Sequence, residues 1–191
     1  MANRSLTVTR TRERILRAAV ELATEKHTVE IVLADVAARA GVTVQTILRN
    51  FGTRDGLFDA AVEFASAEVL VERAAPVGEV SAAVRVIVDH YEARGDWVVS
   101  LLGQEASDER IRGITVPGKQ LHHEWVRTVF GPQLFERDEA GREVLSDLLA
   151  VATDVYVWKL LRRDRGLNRA QTEQRMRHLI DAILASPEEG N

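Results

Sequence analysis

Not one cysteine occurs in the 191 residues. That absence removes a disulfide framework, a thiolate zinc site and a cysteine nucleophile together, and it fits a reducing compartment. Apolar runs long enough to cross a bilayer are missing too, as is the short hydrophobic stretch of a secretory leader near the N-terminus, so a soluble, cytoplasmic protein is expected. The signatures of common catalytic sites do not occur: there is no P-loop, dinucleotide fingerprint, HExxH or nucleophile elbow. Asp108 and Glu109 place two carboxylates side by side, but in an apparent loop without a partner acid or base. His122 and His123, being adjacent, point apart on a helix and form no metal pair. These gaps argue against an enzyme and give no reason to expect a cofactor or a metal. Aromatic residues are scarce, at 5% of the chain, so where they gather is informative. Lysine is scarcer: Lys26, Lys119 and Lys159 are the only three among 25 basic residues, a bias that suits a GC-rich genome better than a function. No stretch alternates with the period of a half-buried strand and no segment repeats, which leaves an all-α reading.

What the chain does have is apolar content at helical spacing and an uneven distribution of charge. Hydrophobic residues make up 46%, ample for a packed core in one domain or two small ones. After a polar arm over residues 1–8, where Arg4 and nearby Arg10 are available for phosphates, a first helix is predicted over residues 9–26. Its stripe is Ile15, Ala19, Leu22 and Ala23, beside Leu16 and Val20. The net charge of −4 hides a division: residues 1–56 hold nine Arg or Lys against six Asp or Glu, +3, and the rest carries −7. A basic head on an acidic body is the pattern of a nucleic-acid reader joined to a domain with another partner, chance asymmetry being the plain alternative.

The most informative stretch is Leu33–Phe51, LADVAARAGVTVQTILRNF, which reads as two short helices joined by a glycine turn. Ala37 is small where two helix backbones approach, and Gly41, four residues on, supplies the positive φ of a tight turn. Ile47 falls with Val42 on the face that carries Val36 and Ala40. Thr43 is placed to cap the second helix by accepting from the amide of Gln45 or Thr46. A helix that reads DNA presents its N-terminal residues to base edges, here Thr43, Val44, Gln45 and Thr46, with Leu48, Arg49 and Asn50 on the next turn. Gln matches adenine, Arg matches guanine, and Thr or Val meets a thymine methyl. The plain alternative is a helical hairpin with no such role. Beyond it Gly52 breaks the run and Thr53 caps a fourth helix, residues 54 to about 74, with Arg54 in its first turn, where a phosphate can be held.

The stretch from RERIL, residues 12–16, to Leu57, and above all that opening, the VAARAGV block and Phe51 followed by TRDGL, resembles the N-terminal domain of the TetR family of bacterial transcriptional regulators. Three positions depart from that pattern. Leu48 stands where the family usually has a tyrosine that contacts phosphate, a bond leucine cannot make. Ile31 and Val32 stand where it tends to have Ser or Thr at the start of the second helix, and His27 or Thr28 replaces the usual glycine after the first. The resemblance implies about nine helices: a helix-turn-helix domain over residues 1–53 and a ligand-sensing and dimerisation domain over 54–191. It also implies a homodimer on a palindromic double-stranded DNA operator, a small-molecule effector that releases it, and repression of transcription. A TetR-like helical protein with weak or lost DNA binding, acting as a ligand-binding or interaction module, is the alternative that Leu48 keeps open.

Beyond Pro76 and Gly78 the body is predicted as helices over 79–94, 96–106, 116–130, 138–165 and 169–185. Gly95 ends the first and Asp96 caps the second; Pro117 sits in a first turn, and Gly131 and Pro132 stop the helix before them. Gly166 closes the long helix, and Asn168 with Gln171 approximates a capping box. Along the long helix Val144, Leu148, Val151 and Val155 line one face and Leu145, Leu149, Ala152 and Tyr156 the next. The last helix carries Met176, Leu179, Ile180, Ile183 and Leu184 in a stripe. In the family these two helices pair across a two-fold axis, which implies a dimer interface of Leu148, Val155, Met176, Leu179, Ile180, Ile183 and Leu184; intrachain core is the alternative. The family's body also encloses an effector pocket. The candidates for a largely apolar ligand are Tyr91, Trp97, Leu101, Glu105, His122, Trp125, Val126, Phe130, Asp154 and Trp158, and all three tryptophans of the chain are among them. Aromatics at helical spacing are more often core.

Overall fold

A computed structural model describes residues 2–26 and 30–186, the first six of them as backbone. The replaced glycine expected at His27 or Thr28 lies outside the described residues. Every regular element among those described is helical, and they fall into two compact units, residues 1–69 and 70–191. Packing therefore divides the chain within the fourth helix, whereas the sequence suggests a boundary at residue 53 from the end of the helix-turn-helix alone.

The first unit holds α1 (Ala2–Glu25), α2 (Leu33–Ala40), α3 (Val44–Phe51) and the greater part of α4 (Arg54–Glu72). Its core is built on Ile15, Ala19 and Leu22 of α1, Val36 and Ala40 of α2, Ile47 of α3, and Leu57 and Ala61 of α4. The polar arm expected over residues 1–8 is, from Ala2 onward, the first turns of α1.

The second unit holds α5 (Val80–Gln104), α6 (Glu109–Val129), α7 (Gly131–Phe135), α8 (Glu139–Ala152), α9 (Val155–Lys159) and α10 (Arg169–Ala185), with a π-helical turn over Leu160–Asp164. Three expectations are corrected here. The break predicted at Gly95 does not occur. α5 runs straight through it because the indole of Trp158 rests on the bare backbone, where a Cβ would stand 2.4 Å from a ring carbon. Asp96, expected to cap, instead binds Arg163 at 2.9 Å. α6 begins well before Pro117, because Asp108 is its cap, accepting from the amides of Arg110 and Ile111 at 2.9 and 3.3 Å. A buried stripe of Ile111, Thr115, His122, Val126 and Val129 carries the helix past the proline, whose missing N–H costs one backbone bond.

The long helix predicted over 138–165 is two helices. Asp154 accepts from the amide of Tyr156 at 2.8 Å and starts α9 afresh, while the Thr153 amide and hydroxyl both return to the Leu149 carbonyl. The restart shifts the register of the apolar faces. Leu145, Leu149 and Ala152 are buried and Val144, Leu148 and Val151 exposed, but beyond the break Val155 is buried and Tyr156 exposed. α10 has the expected bounds, and Asn168 and Gln171 form the expected capping box, each accepting from the other's amide at 2.9 and 3.0 Å. Gly166 takes the positive φ of a helix end, 67°.

Candidate nucleic-acid interface

Local chemistry fixes α2, the turn and α3. Val32 has no side-chain acceptor to offer the start of α2, and Asp35 compensates in part by accepting from the Val32 amide at 3.3 Å. Asp35 also pairs with Lys26 at 2.6 Å, and that bond, with the backbone one, holds its carboxyl below the usual range. Gly41 ends α2 at φ 61° and ψ 43°, and the amides of Gly41 and Val42 cap the Ala38 and Ala37 carbonyls. A side chain at that φ would strain the turn. Thr43 starts α3, its hydroxyl accepting from the Thr46 amide at 3.2 Å. Thr53 does the same for α4 through the Gly56 amide at 3.0 Å.

One face of α3 is anchored and the other is open. Ile47 is fully buried, and Val44 and Phe51 pack partly against the same core. Thr43, Gln45, Leu48 and Arg49 are exposed, and Thr46 and Asn50 half-exposed. The two threonine hydroxyls lie 3.0 Å apart, and Asn50 donates to the Thr46 carbonyl at 2.8 Å. The Gln45 and Arg49 side chains make no hydrogen bond within the described residues, and both are exposed. Leu48 lies on this face at 40% exposure.

Two arginines brace the head, the first of them directly on α3. Arg12 of α1 donates to the Asn50 carbonyl at 3.0 Å and lies 4.4 Å from the centre of the Phe51 ring. It thus takes a free carbonyl at the C-terminal end of α3, where a cation is favoured. Arg54 donates from Nε to the Ile31 carbonyl at 3.1 Å and sits over Phe58. Part of the guanidinium expected to meet a phosphate is engaged within the head. Arg12 went unsingled in the sequence because its role depends on a contact with a residue 38 positions away. Arg39 is braced too, by a two-pronged bond to Glu25 at 2.8 and 2.7 Å.

Residues 15–61, which contain all of this arrangement but Arg12, match the family described as bacterial regulatory proteins, tetR family. That match is confined to the head. The crystal structure of a transcriptional regulator from Rhodococcus sp. RHA1 aligns over 91% of this chain and 95% of its own, with a TM-score of 0.66 and 19% identity, a likeness of fold. A TetR transcriptional regulator from the same organism aligns over 93% of this chain and 98% of its own at 20% identity, with a TM-score of 0.49. No curated protein matches the sequence.

The residues suggested for a TetR effector pocket are mostly packed against one another. Tyr91, Leu101, Val126, Phe130 and Trp158 are buried in the body core. Asp154 caps α9, and Glu105 is paired with Lys119 at 2.7 Å. Trp97 is half-buried with its ring nitrogen unmatched. His122 and Trp125 stack near Arg73, a buried arginine that sequence reading passed over. A shallow hollow of about 230 Å³ lies elsewhere on the body, lined by Ser81, Val84, Ala170, Glu173, Gln174 and Arg177. Of the residues expected at a dimer interface, Val155, Met176 and Ile180 lie in the body's own core and Ile183 and Leu184 pack against its edge. Leu148 and Leu179 remain exposed. No described helix is long and apolar enough to cross a membrane.

Proposed function

We propose that this TetR family transcriptional regulator binds a palindromic DNA operator as a homodimer, represses transcription from it, and is released by a small-molecule effector. The observation that carries the reading is α3 itself: a helix locked to the head by Ile47, Thr43 and Arg12, with Gln45 and Arg49 outward and uncommitted. Such a helix meets bases without first breaking internal bonds. Homodimerisation supplies the second half-site, and the exposed Val144, Leu148 and Val151 of α8 with Leu179 of α10 are the apolar surface for it. Release requires the effector to bind two body conformations unequally, with α4, which starts in the head and ends in the body, carrying the difference. Effector and operator then weaken each other by the same factor.

A second reading, a TetR-like protein with little DNA affinity that acts as a ligand-binding or interaction module, is favoured by one feature, the exposed Leu48 where a phosphate donor would stand. Mobility shift with the DNA immediately upstream of the protein's own gene, at two salt concentrations and against competitor DNA, separates the two. A discrete, competitor-resistant shift that weakens steeply with salt supports the regulator. Ligand binding without DNA affinity, on this DNA or on sites selected from random sequence, supports the module.

A further inference from the structure

Arg73 follows the last residue of α4 and is only 6% exposed. The Nε and Nη2 of a guanidinium form the edge that fits the two oxygens of a carboxylate. Three arginines of the same unit use it so, Arg94 on Glu72, Arg162 on Glu92 and Arg163 on Asp96, while Arg169 brings both nitrogens to one oxygen of Asp89. Arg73, more deeply buried than these, turns the edge to a neutral ring. His122 Nδ1 accepts from the Arg73 Nη2 at 2.5 Å, and the Arg73 Nε, also buried, has no acceptor among the described residues. Nε2 of His122 lies 3.1 Å from the Ala150 carbonyl and carries the ring's one proton there, so the imidazole contributes no negative charge.

The other polar groups nearby are committed elsewhere. Asp154 accepts from the Tyr156 amide, the Tyr91 hydroxyl donates to the Thr153 carbonyl, and His90 and Glu72 face each other. On its remaining side Arg73 meets Trp125, whose ring centre is 5.0 Å away and whose Nε1 donates to the Arg73 carbonyl at 2.7 Å. A buried cation with no hydrogen-bonded counter-ion is among the costliest groups a core can hold.

We propose that Arg73 anchors a small carboxylic acid with an apolar remainder, the carboxylate taking the Nε–Nη2 edge and displacing His122. This rests on the reading of the body as an effector-sensing unit and names the chemistry of the effector. Trp125, which stacks on His122 and meets Phe130 edge-on, is the wall for the apolar part. The anchor also has a regulatory position. Glu72 ends α4 and Arg73 follows it, the first held by His90 and Arg94 and the second by His122 and Trp125, so an acid that captures Arg73 rearranges the grip at the end of that helix.

The test is isothermal titration calorimetry of the full-length protein with hexanoate, octanoate and 4-phenylbutanoate, each against its primary amide, with mobility shift run in parallel. At least one acid binds and its amide does not. Arg73→Gln and Arg73→Lys, checked for folding by circular dichroism, weaken the acid by about tenfold or more through loss of the charged fork. His122→Ala binds it at least as tightly, since the competitor for the edge is gone. Amides binding as well as acids, undiminished binding in both Arg73 variants, or an operator-binding protein that takes none of the acids would each overturn the anchor. Acid binding by a protein that binds no operator would leave it standing and remove the regulator instead.

Discussion

Gln45 and Arg49 stand one turn apart on α3, and each carries a polar end that the head itself does not use. If they read bases, Gln45→Ala and Arg49→Ala each weaken the proper operator by about 1–3 kcal/mol and relax preference at one base pair. Equal loss on random DNA, measured in the same titrations, would reduce them to backbone contacts. His90 and His122 yield a prediction from charge. Burial, reinforced by Arg73, pulls both down to about 4, whereas a histidine of the unfolded chain takes its proton near 6.5. Between those values the unfolded state binds protons that the folded state refuses, so stability is full above the window and is lost as pH falls through it, by up to roughly 3 kcal/mol per histidine. The Tm of the native protein therefore drops more between about pH 7 and about pH 5 than that of His122→Asn. Parallel drops would assign the acid sensitivity to carboxylates.

At the scale of elements, what the sequence made legible was what sequence neighbours decide. Gly41, Thr43, Ile47, Thr53 and the Asn168–Gln171 box act within a few residues of themselves, and their roles follow from spacing and backbone preference alone. Gly95 and Asp154 look alike in kind but answer to other physics. A glycine within an amphipathic run reads as a stop, and only the indole of Trp158, 63 positions on, makes it a seat instead. An aspartate among Val151, Val155 and Trp158 reads as an oddity in one long helix because the apolar pattern hardly falters across the cap. The candidates for an effector site stand out by type and spacing, but Arg73 does not, since nothing local marks an arginine as buried. Gly95 provides a paired test within α5. Gly95→Ala should destabilise the body by about 1–3 kcal/mol through overpacking against Trp158. Gly103→Ala, in the same helix with no atom near a new Cβ, should be neutral or stabilise it by about 0.5–1 kcal/mol. Urea titrations of both variants check the pair, and equal effects would mean that the indole does not rest on Gly95.

For the whole molecule, burial of Ile180 and Met176 within one chain redirects the search for a partner surface. A charge at Ile180 would damage the fold of the body. The informative position is Leu148, exposed on α8 between Val144 and Val151, and Leu148→Glu should turn a dimer into a monomer in sedimentation while leaving helical content intact. Persistence of the dimer would move the interface to another face. The net charge of −4 is the sum of +3 over residues 1–56 and −7 over the rest, so it is not the charge of the segment proposed to meet phosphates.

Trp97, Trp125 and Trp158 all lie in the second unit, and residues 1–69 contain no tryptophan. The protein therefore carries its own optical reporter, and carries it on one side only. Light emitted by its indoles originates entirely outside the head, so operator DNA bound at α3 has no tryptophan there to quench. A spectral change on adding operator would have to arrive through the polypeptide, and Trp125, bonded to the residue that follows α4, is placed to emit it.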